Sequence, residues 1–294
     1  MSMPVDRVVD SASGLTESRL LQHYQAVAEL MMPHLQARPV AFLRAPEGIE
    51  AGMFFQKHLP SPALPGIAQF SSSLYASHGP LLEVREPRGV LSAVHAHVIE
   101  FHTFNTTTRG NEHPDRVCFD LDPGEGVEWN SVREAALHLR DVLAQLGLSC
   151  WLKTSGGKGL HLLVPLAPAL HSCETAKHFA KALVQRLAQE EPSRFSAMSG
   201  PRNRIGRIFI DYLRNGAGAT TVCAWSARAR PGLPVSVPIA WSELPGLQSS
   251  AQWNIANCAE RNELGNQPWE GYWQCRQNLH QALQQLPAAD EHLK

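Results

Sequence analysis

The sequence predicts an α/β protein with a mixed or antiparallel sheet, on three observations. Short apolar runs of strand length end repeatedly in Pro, Gly or Asp, as at Arg116–Gly126, Ser149–Lys153, Leu160–Val164 and Ile208–Tyr212. Two longer stretches, 131–146 and 172–191, carry apolar residues at helical spacing. The balance of 44% hydrophobic to 18% charged residues over 294 positions is that of an ordinary globular chain with ample material for a core.

Taken in order, residues 1–14 read as an irregular lead-in. Thr16 or Ser18 can cap a helix to about Leu35, with Leu20, Leu21, Tyr24, Val27, Ala28 and Met31 on one face. Pro39–Leu43 reads as a strand, 45–48 as a turn and Met53–His58 as a second strand. Phe54 and Phe55 face opposite sides if extended. Residue type alone favours both rings in the core, whereas an exposed ring beside Lys57 and His58 would suit base stacking. Pro60–Pro80 reads as loop with short strand pieces, Leu91–Ala96 as a short helix and Val98–Phe104 as an alternating strand. Thr106–Asp115 is a polar loop. Ser131-Val-Arg-Glu134 matches a capping box that opens a helix closed by Gly147. The helix from Ser172 ends before Pro192. Thr220–Trp225 reads as a strand, 234–245 as connector, and Leu279, Leu283 and Leu286 suggest a last amphipathic helix.

The chemistry concentrates at strand ends. Asp120 and Asp122 lie two apart in one strand, so they share a face at a spacing of roughly 7 Å. Like charges beside an apolar run repel unless a cation separates them, which a divalent metal would do. Asp before Pro-Gly is also ordinary turn chemistry. Asp211 ends a second apolar strand, and a third carboxylate is the usual complement of a two-metal site. Thr154-Ser-Gly-Gly-Lys-Gly159 joins two strands, and its glycines, Ser155 and Lys158 could form a phosphate nest or a plain flexible turn. His161 alternates with Leu160 and Leu162 and so points off the apolar face. Arg228 and Arg230 share a face if extended, a fork for phosphates or a solvated strand end. Ser199–Arg207 is a basic loop.

A formal net charge of −1 gives no global basic signature, so a nucleic-acid partner would need a local patch. Cys118, Cys150, Cys173, Cys223, Cys258 and Cys275 are scattered, which argues against a zinc knuckle or disulfide frame and fits a reducing cytoplasm. No stretch approaches the ~18 apolar residues of a membrane span.

Together the stretches resemble the polymerase domain of bacterial ATP-dependent DNA ligase D, within the archaeo-eukaryotic primase superfamily. The matches are Arg38-Pro39, Phe54–His58, Glu100-Phe-His102-Thr, Phe119-Asp-Leu-Asp122-Pro-Gly, Lys153–His161, Ser199–Arg204, Phe209–Asn215 and Ser226–Arg230, spread over nearly the whole chain. The resemblance implies a primase-polymerase fold in a single domain over 1–294. Its parts would be an N-terminal lobe (1–97), a catalytic core (98–240) and a C-terminal helical tail (241–294). It implies template-directed nucleotide addition during non-homologous end joining, with a primer-independent primase or a non-catalytic end-bridging module as alternatives. It implies two Mn²⁺ (or Mg²⁺) ions on Asp120, Asp122 and Asp211. His102, Ser155, Lys158, His161, Arg228 and Arg230 would contact an NTP or dNTP. Arg7, Phe54, Phe55, Lys57, Arg202, Arg204 and Arg214 would contact DNA. The implied partners are double-stranded ends or gapped DNA, Ku and a ligase domain or protein, without a membrane, and the implied location is cytoplasmic at the nucleoid. One departure stands out. Of two basic residues that grip a 5′-phosphate in such proteins, Arg7 matches the first, but Glu17 occupies the second position.

Overall fold

The computed structural model describes residues 6–59, 64–70, 80–109 and 113–286. Much of the expected loop at 60–80, and the tip of the one at 106–115, lie outside these residues.

Strands β1 (Val8–Asp10) and β2 (Leu15–Thr16) form a small hairpin ahead of helix α1 (Glu17–Leu35). Next come β3 (Pro39–Arg44), β4 (Phe54–Gln56), β5 (Ile67–Phe70), β6 (Leu81–Val84), α2 (Pro87–His95) and β7 (Val98–Phe104). They are followed by β8 (Arg116–Pro123), α3 (Trp129–Gln145), β9 (Trp151–Thr154), β10 (Leu160–Pro165) and α4 (Cys173–Glu190). The rest comprises β11 (Phe195–Ser196), β12 (Ile208–Asp211), β13 (Thr220–Val222), β14 (Pro238–Ile239), α5 (Ala259–Leu264) and α6 (His280–Gln285).

The strands build two six-stranded sheets. One has the order β11-β12-β8-β10-β9-β14 and is antiparallel except for β11 beside β12. The other runs β13-β7-β3-β6-β5, with β4 also on β3. Val98–Phe104, read as the opening of the catalytic core, is therefore a strand of the sheet that holds the N-terminal segments. Helices α1 and α2 pack on that sheet, while α3 and α4 pack on the first. One apolar cluster, including Phe42, Phe101, Phe119, Phe179 and Trp225, runs through both layers. Among the described residues no helix is long and apolar enough to cross a membrane.

Local differences from the sequence reading have tertiary causes. Helix α3 starts at Trp129, so the capping-box residues Ser131 and Glu134 fall inside it. The indole of Trp129 donates to the Leu247 carbonyl at 2.6 Å and draws the helix start earlier. Helix α2 begins at Pro87, whose fixed φ suits a first helical position, not at Leu91. The strand expected through Trp225 ends at Val222, and buried Trp225 takes φ +69° as the chain turns off the sheet. Phe54 and Phe55 are 45% and 57% exposed rather than core. Their strand β4 lies at the margin of the sheet, paired with β3 alone among the described strands.

Candidate active site

Asp120 and Asp122 sit near the carboxyl end of β8, with Asp211 at the end of β12 directly across from Asp120 in the antiparallel register. The three carboxylates, two from β8 and one from much later in the chain, thus meet on one face of the sheet. A buried amide holds the register. Asn215, in the turn after β12, accepts from the Cys118 N–H and donates to the Cys118 and Tyr212 carbonyls, at 2.8 and 3.1 Å for the latter two. It also accepts from Asn105 at 3.0 Å. Two glycines let the neighbouring turns approach. A Cβ on Gly159 would stand 1.7 Å from the Leu121 carbonyl oxygen, and one on Gly124 would stand 1.7 Å from that of Arg204.

Asp120 and Asp122 line one part of a cavity of about 290 Å³ between the two sheets, and Asp211 stands beside it, across from Asp120. Lys158, Arg228 and Arg230 line another part of it, and His102 and Thr220–Val222 come from the second sheet. The hairpin after β9 is ordered by Ser155. Its hydroxyl accepts the N–H groups of Gly157 and Gly159, both at 3.2 Å, and it meets the Ser250 hydroxyl at 3.1 Å. Arg228 donates to the Ser155 carbonyl at 2.5 Å and through Nε to Glu100 at 2.9 Å. Glu100 also meets His102 at 2.7 Å and accepts the Ala229 N–H at 2.8 Å. Burial pushes the Glu100 carboxyl up, but His102 and Arg228 outweigh it and hold the group at about 2. A permanently ionised carboxylate thus fixes one arginine and one histidine of the cavity.

The electrostatics of the acids are uneven. Burial opposes ionisation of Asp120, yet His161, 3.3 Å away, and Arg214 hold it well below the ordinary carboxylate range. Asp122 and Asp211 are raised, first by burial and also by the charge of Asp120. Arg204, bonded to Asp122, and Arg214, 3.0 Å from Asp211 and 3.6 Å from Asp120, offset this only in part. With the side chains so placed, no three His, Cys, Asp or Glu groups among the described residues converge to hold a metal ion. Two guanidinium groups stand among the acids instead. The donors are hard oxygens short of positive charge, which is what a hard divalent cation requires. His161 is buried and pushed down to about 4, first by burial and then by Lys153. It is therefore a neutral imidazole at pH 7.

The expected DNA contacts are more dispersed. Phe55 meets the His102 ring edge-on at 5.0 Å, and Arg44 lies over Phe54 at 5.5 Å. Lys57 is tied to the Gly218 carbonyl at 3.2 Å and lies over the Phe104 ring. Arg202 is exposed on the basic loop. Arg7 lies away from the cavity lining: its Nε pairs with Glu17 at 2.9 Å, and its Nη1 donates to the Ala45 and Pro46 carbonyls.

Sequence reasoning missed four contributors. Glu100 read as one member of an ordinary alternating strand, although a carboxylate two residues from His102 in an otherwise apolar run was the available signal. Ser236 and Ser250 lay in segments read as connector and tail, yet Ser236 accepts from buried Lys153 at 2.7 Å. The Thr220–Val222 wall depends on its pairing with β7, which no local pattern reveals.

A model of the LigD primase-polymerase domain matches residues 16–269. The chain belongs to that family. The LigD protein of Pseudomonas aeruginosa, a multifunctional non-homologous end joining protein, is 45% identical over 279 residues, covering 94% of this chain and 33% of that protein. The Mycobacterium tuberculosis LigD, a non-homologous end joining DNA repair protein, is 33% identical over 247 residues, 81% of this chain and 32% of its own length. The chain thus spans about a third of the LigD proteins it matches. Among solved structures, the polymerase domain of Mycobacterium tuberculosis ligase D in complex with DNA superposes with a TM-score of 0.78 at 30% identity, covering 92% of this chain and 98% of that one. The primase-polymerase fold expected from the sequence is the fold observed.

Proposed function

We propose that this chain is a template-directed nucleotidyltransferase that extends primer 3′ ends with NTPs or dNTPs at gaps and broken ends during non-homologous end joining. The observation that carries this is the in-register meeting of Asp120, Asp122 and Asp211 beside a cavity lined by Lys158, Arg228 and Arg230. Acids on one side and cations on another suit a triphosphate whose α-phosphorus is attacked near the carboxylates while pyrophosphate leaves toward the cations. Bound Mn²⁺ or Mg²⁺, two ions on Asp120, Asp122 and Asp211, would stabilise charge on the attacking and leaving oxygens.

In this reading the primer 3′-hydroxyl attacks the α-phosphorus in line. Arg228, held by Glu100, and Arg230 neutralise the departing charge. Ser155 and Lys158 grip the phosphates, His102 and His161 position the nucleotide, and Phe54 and Phe55 offer exposed rings to template bases. Arg202, Arg204, Arg214 and Lys57 meet backbone phosphates. Arg204 and Arg214 serve as counterions of the acids until substrate and cations arrive. Because Glu17 neutralises Arg7, the chain discriminates poorly between 5′-phosphate and 5′-hydroxyl downstream ends. A ligase module, on the same or another polypeptide, and Ku would supply sealing and end recruitment at the nucleoid.

The deciding experiment is extension of a gapped duplex with either sugar type, with and without manganese. Template-dependent extension that needs the divalent ion supports the reading. Its absence, with DNA binding retained, would favour an end-bridging role, and product on an unprimed template would favour a primase.

A further inference from the structure

The N-terminal hairpin reaches the turn after Arg230 through one carboxylate. Asp10 is fully buried at the end of β1. One of its oxygens accepts the Ala12 N–H at 3.1 Å, and the other accepts the Ser13 hydroxyl and the Gly232 N–H, the last at 2.6 Å. The last of these bonds spans 222 residues of chain. Burial works against the Asp10 carboxylate, but these donors outweigh it and hold its pKa below the ordinary value. The hairpin is itself braced. Ile49 donates to the Val9 carbonyl at 2.8 Å, and Ser11 donates twice to Glu50 at 2.8 Å.

Gly232 lies in the tight turn that presents Arg230. In that turn the Leu233 N–H reaches the Arg230 carbonyl at 2.9 Å, and Gly232 and Leu233 take φ +82° and +45°. The +45° value is costly for a leucine and persists only where the surroundings fix it. Glu100 holds the near side of the turn through Ala229 and Arg228. Asp10 holds the far side. Between these anchors the Arg230 guanidinium lies against the phosphate hairpin, so that a Cβ on Gly157 would stand 3.3 Å from its central carbon. Arg230 is exposed, and among the described residues its side chain makes no hydrogen bond or ion pair, so its placement depends on the backbone that carries it.

We propose that Asp10 is a positioning residue for the nucleotide site, setting the Arg230 turn so that the guanidinium meets the triphosphate of the incoming nucleotide. The inference rests on the nucleotidyltransferase reading and extends its site to the hairpin of β1 and β2. Asp10 lies outside the cavity lining, so its loss acts through Arg230 and weakens nucleotide binding.

The test measures ATP binding with Mn²⁺ and no primer, by titration calorimetry on the full chain. The variants are Asp10→Ala, Asp10→Asn, Arg230→Ala and the double variant Asp10→Ala with Arg230→Ala. A charge-assisted hydrogen bond of this kind predicts a Kd raised roughly 5- to 20-fold by Asp10→Ala. Asp10→Asn, which keeps an oxygen for Gly232, should recover most of that loss. If Asp10 acts through Arg230, the double variant binds no worse than about twofold below Arg230→Ala alone, whereas a general structural role makes the losses multiply. Because Arg230 also faces the departing charge, kcat for extension at saturating ATP falls no further in Asp10→Ala than in Arg230→Ala. An unchanged Kd for Asp10→Ala, or multiplying losses, would overturn the inference while leaving the polymerase reading intact. If Asp10→Ala fails to fold, the same cycle is run with Asp10→Ser, which lacks the second oxygen that serves Gly232, and is judged by the same rule. A wild-type chain that takes up no ATP would refute the underlying reading and this inference with it.

Discussion

Under the proposed function, replacing Glu17 with lysine should make binding at Arg7 selective for a 5′-phosphate. In the wild type Arg7 spends Nε on Glu17 and Nη1 on two carbonyls, and His97 stands 3.7 Å from the same carboxylate. Neither partner of the pair is fully solvated, at 26% and 23% side-chain exposure. A phosphate approaching Arg7 therefore also meets a carboxylate, and the two interactions nearly cancel. Glu17→Lys changes the local charge by +2. At about 4 Å and an effective dielectric near 20 each charge pair is worth up to about 4 kcal/mol before screening. Salt and the entropy of long side chains reduce this to roughly 1–2 kcal/mol, or about tenfold in affinity. The assay is competition binding of gapped duplexes that differ only in a 5′-phosphate or 5′-hydroxyl, at fixed ionic strength. Wild type should prefer phosphate by less than about threefold, and Glu17→Lys by about tenfold more, with a salt slope steeper by about one. The variant removes an acid from the first turn of α1 and a surface ion pair, which together cost about 1 kcal/mol. Tm should thus fall by no more than about 4 °C. A wild-type preference above tenfold, or an unchanged ratio in the variant, would refute the cancellation argument.

Mn²⁺ alone should raise Tm of the wild type, and the increment should vanish in Asp120→Ala and Asp122→Ala, which also lose extension while remaining folded; an undiminished metal shift in either variant would remove it from the ligand set. Phe55→Ala should weaken template binding by about 1–3 kcal/mol, the range for a base–aromatic stack, with little change in Tm because the ring is exposed; a large Tm loss with unchanged DNA affinity would make the ring structural. Acid should destabilise the fold through α1, where burial pushes His23 to about 4 and His34 to about 3, each neutral and bonded to Trp225 or Asn266. Below the ordinary imidazole value of 6.5 the unfolded chain takes up protons that the folded chain refuses, so stability is full above pH 6.5 and is lost as pH falls toward 4. For His23 that loss amounts to about 3 kcal/mol. Thermal melts from pH 7.5 to 4.5 should show the decline, with a shallower slope in His23→Gln.

The fold was legible where chemistry and period coincided. Asp120 and Asp122 declared their shared face through a spacing of two, and α4 declared its start at Ser172, whose hydroxyl caps Thr175 at 3.0 Å. What could not be read was set by distant pairing. Nothing near Asp211 says that it lies opposite Asp120; that follows from β12 joining β8 with two helices and three strands between them in the chain. Phe54 and Phe55 carried the residue type of a core, and only the edge position of β4 leaves them outside. Asp10 resembled any polar residue of a lead-in until the chain returned to it at Gly232.

The amide of Asn215 has a consequence for robustness. The alignment of two acid-bearing strands is secured by a group that does not titrate and carries no net charge, so neither ionic strength nor acidity loosens it. An aspartate there would match the shape yet set carboxylate oxygens against the Cys118 and Tyr212 carbonyls. The repulsion would slide one strand along the other, and the facing of Asp211 on Asp120 would be lost without any change to the acids themselves.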